Sequence, residues 1–213
     1  MLTSLPNLLT LSRIVAIPAI VVLLVFFEGP LTDWSAFAIY TVACITDFFD
    51  GYLARAWSQQ SAFGRFLDPI ADKLLVAALL MTFAGIDRIN GVHLIAALII
   101  LCRELAVSGL REFLAEVRVS VPVTWLAKWK TGIQMLALGF LVVGPSGPLF
   151  GPLTTAQVGL ILMWGAALLT IITGYDYLVA GLRRIAQEDE PAIAAPADSG
   201  SASETEPSHR QAG

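Results

Sequence analysis

The stretch ITDFFDGYLARAWSQQSAFGRFLDPIAD, residues 45–72, places four carboxylates between two strongly apolar segments. Asp47 and Asp50 lie three residues apart at the end of one apolar run, and Asp68 and Asp72 lie four apart at the start of the next. Residues three or four apart share a face of a helix. A short loop joins the two runs, so we expect antiparallel neighbouring helices whose acidic faces meet.

The composition is that of a membrane protein. Of the 213 residues, 56% are hydrophobic and 14% are charged, and the mean hydropathy is +0.74. A soluble domain carries about 25% charged residues. The formal net charge of −4 comes from residues 187–213, which hold six acids and one arginine. We therefore predict a near-neutral membrane domain over residues 1–186, with no support for nucleic-acid binding, and a disordered acidic tail over residues 187–213.

Six apolar stretches are long enough, with their flanks, to cross a bilayer, which takes about 20 helical residues. They are Leu8–Phe27, Trp34–Phe49, Pro69–Gly85, Val92–Leu110, Trp125–Val143 and Thr154–Leu182. The sequence thus predicts an all-α polytopic membrane protein with six transmembrane helices. The second helix is expected to continue through DGYLAR, and Gly64 is expected to lie in the following loop.

Basic residues indicate how the spans are oriented. The loops after spans 1, 3 and 5 contain one basic residue, Arg88. The other basic residues of the predicted membrane domain lie near the opposite side: Arg13, Arg55, Arg65, Lys73, Arg103, Arg111, Arg118, Lys128, Lys130, Arg183 and Arg184. Lysine and arginine favour the cytoplasmic side. Both termini and the four acids are therefore predicted to be cytoplasmic.

Four acids at the edge of a bilayer need compensation, because a charged acid at its centre costs about 3 kcal/mol and like charges repel. Divalent cations remove both problems, and hard oxygen ligands suit Mg²⁺, Mn²⁺ or Ca²⁺. The alternative is that the acids form interfacial ion pairs with Arg55, Arg65 and Lys73. Four acids at this spacing favour the metal site.

Other residues of the same stretch fit a phosphate ligand. Gly51 and Ala54 are small and share the acidic side of the helix, so a bulky group could approach the backbone there. Small residues also serve close helix packing, which is the alternative explanation. Arg55 could pair with a phosphate. Metals, an arginine and small residues at a membrane surface suggest a diphosphate that carries a lipid.

These residues resemble the signature of the CDP-alcohol phosphatidyltransferase family. The pattern D-x2-D-G-x2-A-R-x8-G-x3-D-x3-D is complete from Asp47 to Asp72. The flanking stretches LPNLLTLSR, FLDPIADKLL, CRELAVSGLRE and AKWKTGIQM are similar to bacterial members that use glycerol 3-phosphate as the acceptor. The six predicted spans also resemble the family, so the resemblance covers Leu5 to about Arg184.

The resemblance implies a site and a mechanism. Asp47, Asp50 and Asp68 would bind two Mg²⁺ or Mn²⁺ ions, with Asp72 at their edge and acting as the general base. CDP-diacylglycerol would be the donor. Its nucleotide and diphosphate would be bound by Asn7, Thr10, Gly51, Ala54, Arg55, Ser61 and Gly64. For Asn7, Thr10 and Ser61, ordinary helix capping is an equally open interpretation.

The acceptor, glycerol 3-phosphate, requires a cationic pocket. Arg103 lies inside an apolar run, and Arg111 follows about two turns later on the same face. We choose Arg103, Arg111 and Lys128 for this pocket, since the arginine fork binds phosphate through two bonds. Glu104 could instead simply neutralise Arg103, and Lys128 and Lys130 could simply anchor their helix at the membrane surface.

Two other functions stay open at this point. The same chemistry could act on another alcohol, such as an inositol phosphate, because the signature does not encode the acceptor. A cation or proton transporter also places acids in a membrane, but near its midplane. The family resemblance further implies a homodimer in the bacterial inner membrane, with the active site facing the cytoplasm.

Overall fold

Six α-helices form the fold of the computed structural model, which describes residues 5–56, 62–116 and 125–188. The helices are α1 (Leu5–Phe26), α2 (Pro30–Ala56), α3 (Ala62–Gly85), α4 (His93–Glu116), α5 (Trp125–Val143) and α6 (Thr155–Glu188). Between α5 and α6 lie a 3₁₀ turn, Gly144–Ser146, and a two-residue antiparallel pair, β1 (Leu149–Phe150) with β2 (Leu153–Thr154). The six predicted apolar stretches each fall on one helix.

Three helix boundaries can be compared with the sequence-based expectations, and one agrees while two differ. The second helix does continue through DGYLAR to Ala56. Gly64 was predicted in a loop, and this was wrong, because α3 already begins at Ala62. A glycine is tolerated in the first turn of a helix, where fewer backbone hydrogen bonds depend on it. The last helix reaches Glu188, two residues into the predicted tail, and residues 189–213 lie outside the described part.

Neighbouring helices close a ring in the order α1, α2, α5, α6, α4 and α3. The interior is filled by apolar side chains such as Ile20, Phe83, Leu138, Leu141 and Met163, each almost fully buried. Inward-facing positions recur at helical spacing, for example Leu75, Leu79 and Phe83 along α3. The six helices thus enclose one apolar core.

The outer surface is apolar as well. Leu31, Phe26, Met81 and Leu98 are among many large apolar side chains that are mostly exposed. Contiguous apolar surface of this kind marks contact with lipid or protein. Three helical stretches are long and apolar enough to cross a membrane, namely Leu8–Phe26, His93–Ala115 and Thr155–Val179. These findings identify a membrane protein, and the six-span topology remains a proposal.

A buried ion pair stabilises the packing at the end of the bundle where Arg88 lies. The Arg88 guanidinium pairs with Asp33 and donates to the backbone carbonyl oxygens of Leu141 and Val142, at 2.9 and 2.5 Å. Gly144 adopts φ +52°, and a Cβ there would lie 3.0 Å from this guanidinium, so glycine suits both the backbone and the approach. This arginine therefore has a structural role that joins α2, α5 and the loop before α4.

Candidate active site

Arg13 of α1 joins two of the four signature acids. Its Nη2 lies 2.7 Å from Oδ1 of Asp47 on α2, and its Nη1 donates to Oδ1 of Asp72 on α3 at 2.9 Å. The arginine side chain is 1% exposed, whereas the Asp47 and Asp72 side chains are 40% and 47% exposed. Both carboxylates are thus accessible to solvent, whereas the guanidinium that pairs with them is buried.

The two acidic helices meet through a third helix. We expected α2 and α3 to bring their acidic faces together as direct neighbours. In the described residues, α1 packs extensively against both of them, and Arg13 occupies the position between Asp47 and Asp72. One acid from each of the two helices therefore lies at the same guanidinium. The direct packing of the α2 and α3 acidic faces stays a prediction.

The structure describes one of the three cations considered above as ion-pair partners of the acids. Lys73, one of the predicted partners, contacts Ser108 and lies 3.8 Å from Glu112, both on α4. The side chains of Arg55 and Arg65 lie outside the described part, and Arg13 is a counter-charge for Asp47 and Asp72. Its signal in the sequence is a single arginine early in an apolar run, which we interpreted only as a cytoplasmic marker.

Several predicted site residues have side chains outside the described part of the structure. The side chains of Asp50 and Asp68 lie outside the described part, although α2 and α3 place them one turn from Asp47 and Asp72. The same holds for Asn7, Gly51, Ala54, Arg55 and Gly64, and for the whole of Ser61. Among the described side chains there is no group of three potential metal ligands.

The donor set nevertheless fits a hard divalent cation. Carboxylate oxygens from two helices converge on one positive group, so this position favours positive charge. Asp50 and Asp68, on the same two helices, would add further oxygen ligands for such a cation. Thr10 lies one turn before Arg13 and is buried, so it belongs to the same inward side of α1.

A second polar cluster lies on α4, α5 and α6. Arg103 and Arg111 both approach the ring of Tyr177, with guanidinium carbons 6.0 and 5.6 Å from its centroid. Arg103 also donates to the Thr173 hydroxyl at 3.2 Å, and Arg111 to the Tyr177 hydroxyl at 3.4 Å. A Cβ at Gly174 would lie 3.1 Å from the Arg103 side chain. The structure therefore brings two of the three predicted acceptor residues together.

Lys130 completes this cluster at its α5 side. It is 3% exposed and pairs with Glu104, which in turn lies 3.6 Å from Arg103. Lys128, the predicted member, is exposed. Two residues correspond to about 200° around a helix, so the two lysines point in nearly opposite directions. Lys130, Tyr177 and Thr173 were not predicted as members of this cluster, because their signal depends on the helix phase and on partners distant in the sequence.

An apolar groove of about 860 Å³ runs between α2 and α5. It begins beside Cys44 and Ile45, within one turn of Asp47, and extends to Trp34 and Phe150 near the far loop. From Ile45 to Trp34 the helix rises about 16 Å. Gly132 and Gly139, two turns apart on α5, form part of its wall. The groove thus extends from within one turn of Asp47 toward the opposite end of α2.

Comparison with known proteins identifies the family to which the chain belongs. The sequence pattern of the CDP-alcohol phosphatidyltransferase family matches residues 3–172. The chain therefore belongs to the CDP-alcohol phosphatidyltransferase family, and the acids joined by Arg13 are those of its signature.

Individual relatives carry a narrower name. A protein of Rickettsia bellii is 49% identical over 177 residues, covering 83% of this chain and 94% of its own. A Shigella flexneri protein is 44% identical over 182 residues, covering 83% and 94% of the two chains. One from Cereibacter sphaeroides is 39% identical over 217 residues, covering 87% and 98%. All three are named CDP-diacylglycerol–glycerol-3-phosphate 3-phosphatidyltransferase.

Proposed function

We propose that the protein transfers a phosphatidyl group from CDP-diacylglycerol to sn-glycerol 3-phosphate, giving phosphatidylglycerol phosphate and CMP. One observation carries the proposal: acids of the family signature converge at one end of the bundle, where a separate cationic cluster also lies. The names of the relatives in Rickettsia, Cereibacter and Shigella agree with this donor and acceptor.

The proposed metal site uses Asp47, Asp50 and Asp68, with Asp72 at its edge. When bound, two Mg²⁺ or Mn²⁺ ions would stabilise negative charge on the phosphoryl group in transfer and on CMP as it leaves. Ligands on α2 and α3, two helices held by α1, give the site a rigid base. Rigid support matters because metal ligands act only when they are held in the right geometry.

Asp72 is the proposed general base. Its carboxylate takes the proton from the acceptor hydroxyl, whose oxygen attacks the phosphorus that bears diacylglycerol. The bond from this phosphorus to the oxygen of CMP breaks, and CMP leaves. Arg55 is assigned to the diphosphate, and Gly51, Ala54, Gly64, Asn7, Thr10 and Ser61 are assigned to the nucleotide pocket.

The acceptor pocket is assigned to Arg103, Arg111 and Lys130, with Lys128 as a further candidate at its rim. Three cations and Glu104 give the cluster a net charge of +2. A phosphate monoester carries a charge of about −1.5 to −2 at neutral pH. The two charges match, which favours a phosphorylated acceptor over an uncharged alcohol.

The groove between α2 and α5 is assigned to an acyl chain of the donor. Its mouth lies within one turn of Asp47, and its walls are almost wholly apolar. A lipid held there would present its phosphate to the acids at the membrane surface. The proposal further places the enzyme as a homodimer in the bacterial cell membrane, with six spans and the site facing the cytoplasm.

An acceptor panel tests this proposal. Purified protein in lipid nanodiscs receives CDP-diacylglycerol, Mg²⁺ and one acceptor: glycerol 3-phosphate, inositol phosphate, glycerol or none. We expect CMP release and a new phospholipid with glycerol 3-phosphate. Preference for inositol phosphate would retain the chemistry and overturn the acceptor. Absence of transfer with every acceptor, together with Mg²⁺ or H⁺ flux in liposomes, would favour the transporter alternative.

A further inference from the structure

Arg13 is a charged residue in a place where charge is costly. It lies within the apolar stretch Leu8–Phe26 and is 1% exposed. An arginine buried in a membrane segment costs several kcal/mol unless it is paired. Among the described side chains, it pairs with Asp47 and Asp72, one from each of the two acidic helices.

The geometry of this contact constrains both acids at once. The two terminal nitrogens of a guanidinium are held in one plane at a fixed separation. Nη2 contacts Oδ1 of Asp47 at 2.7 Å, and Nη1 contacts Oδ1 of Asp72 at 2.9 Å. The separation of the two carboxylates is thereby set by one rigid group. One oxygen of Asp72 is also fixed, so the rotation of its carboxylate is restricted.

We propose that Arg13 is a positioning residue that acts as the internal cation of the acidic site, holding Asp47 and Asp72 apart and orienting the Asp72 carboxylate for proton transfer. The inference rests on the proposed roles of these acids. It adds two consequences for Arg13. Its charge opposes a divalent ion at Asp47, because like charges at such short range repel even at high effective dielectric constant. Its planar guanidinium, in contrast, orients the Asp72 carboxylate and so raises kcat.

These two consequences separate positioning from simple structural support. Removing the charge should tighten metal binding while it slows the reaction. A residue that only stabilised the fold would weaken both together. Arg88 provides a matched control, because it is also a largely buried arginine that pairs with an aspartate and joins helices, but at the far end of the bundle.

The experiment compares Arg13→Met, Arg13→Lys and Arg88→Met in nanodiscs. Mn²⁺ binding is measured by electron paramagnetic resonance without substrate, and kcat and KM are measured with Mg²⁺. For Arg13→Met we expect Mn²⁺ affinity to rise about tenfold and kcat to fall at least tenfold. For Arg13→Lys we expect Mn²⁺ affinity within about threefold of the parent and kcat again about tenfold lower, with the KM for glycerol 3-phosphate unchanged. Arg88→Met should lower thermal stability and leave Mn²⁺ affinity unchanged.

Three results would overturn the inference. The first is weaker or unchanged Mn²⁺ binding in Arg13→Met. The second is a parent-like kcat in Arg13→Lys, which also decides the matter if the Met variant does not fold. The third is an equal Mn²⁺ change in Arg88→Met. Failure of the parent to bind Mn²⁺ would instead refute the proposed metal site, and the inference would fall with it.

Discussion

The substitution Arg111→Gln tests the acceptor pocket, because Arg111 is exposed and makes few contacts that the fold needs. Its guanidinium carbon lies 5.6 Å from the centre of the Tyr177 ring, and its hydrogen bond to the hydroxyl is long, at 3.4 Å. Surface substitutions usually change stability by less than about 0.5 kcal/mol. A kinetic change in this variant would therefore report on ligand binding.

The expected size follows from the bond that is lost. A hydrogen bond to a charged group contributes about 1.5–3 kcal/mol. Since about 1.4 kcal/mol corresponds to a factor of ten, the KM for glycerol 3-phosphate should rise about tenfold to hundredfold. The KM for CDP-diacylglycerol should stay nearly constant, because the cluster around Tyr177 is separate from Asp47 and Asp72.

The assay measures initial rates of CMP release while each substrate is varied in turn. Arg55→Gln serves as the matched variant, since Arg55 is assigned to the diphosphate and should raise the KM for CDP-diacylglycerol instead. If both variants raise the KM for the same substrate, the assignment of the acceptor pocket is refuted. The assignment of the metal site would not be affected, because its acids lie on α2 and α3 and Arg111 lies on α4.

Three further predictions concern the cluster, the groove and the tail. Lys130→Met should destabilise the protein by about 1–3 kcal/mol, less than the 3–5 kcal/mol of a fully buried pair because its acidic partner is partly exposed. Lys128→Met should change little, and equal unfolding midpoints would contradict the packing described. Gly132→Phe should raise the KM for long-chain CDP-diacylglycerol at least tenfold and that for a short-chain analogue less. Gly165→Phe, on an exposed face of α6 away from the groove, is its control, and similar effects of both would refute the assignment of the groove. Truncation after Gln187 should leave the rate within about twofold, and a large loss would show that the tail contributes to the fold or the site.

The sequence predicts the helices well because each apolar stretch carries its own signal. Length and hydropathy predicted the six helices, and the distribution of basic residues predicted that the four acids lie together at one end of the bundle. In the structure Leu75, Leu79 and Phe83 lie at helical spacing on the buried side of α3. These properties are local, so they can be deduced from the order of residues.

Contacts between distant segments were harder to predict. The role of Arg13 depends on how α1 packs against α2 and α3, and loop length does not determine this packing. The choice between Lys128 and Lys130 depends on the rotation of α5 about its axis, where two residues mean about 200°. Tyr177 and Arg111 are in contact although they lie 66 residues apart in the sequence. An isolated tyrosine in an apolar helix carries no signal of that contact.

The central claim is that the signature acids catalyse a metal-dependent transfer, and Asp72→Asn tests it most directly. The measurement is CMP release from CDP-diacylglycerol and glycerol 3-phosphate in nanodiscs, with Mg²⁺ or excess chelator, alongside binding of the labelled donor. We predict that the parent turns over only with Mg²⁺, and that Asp72→Asn binds the donor but releases CMP at least a hundredfold more slowly. Undiminished CMP release by Asp72→Asn, or by the parent in excess chelator, would contradict the claim.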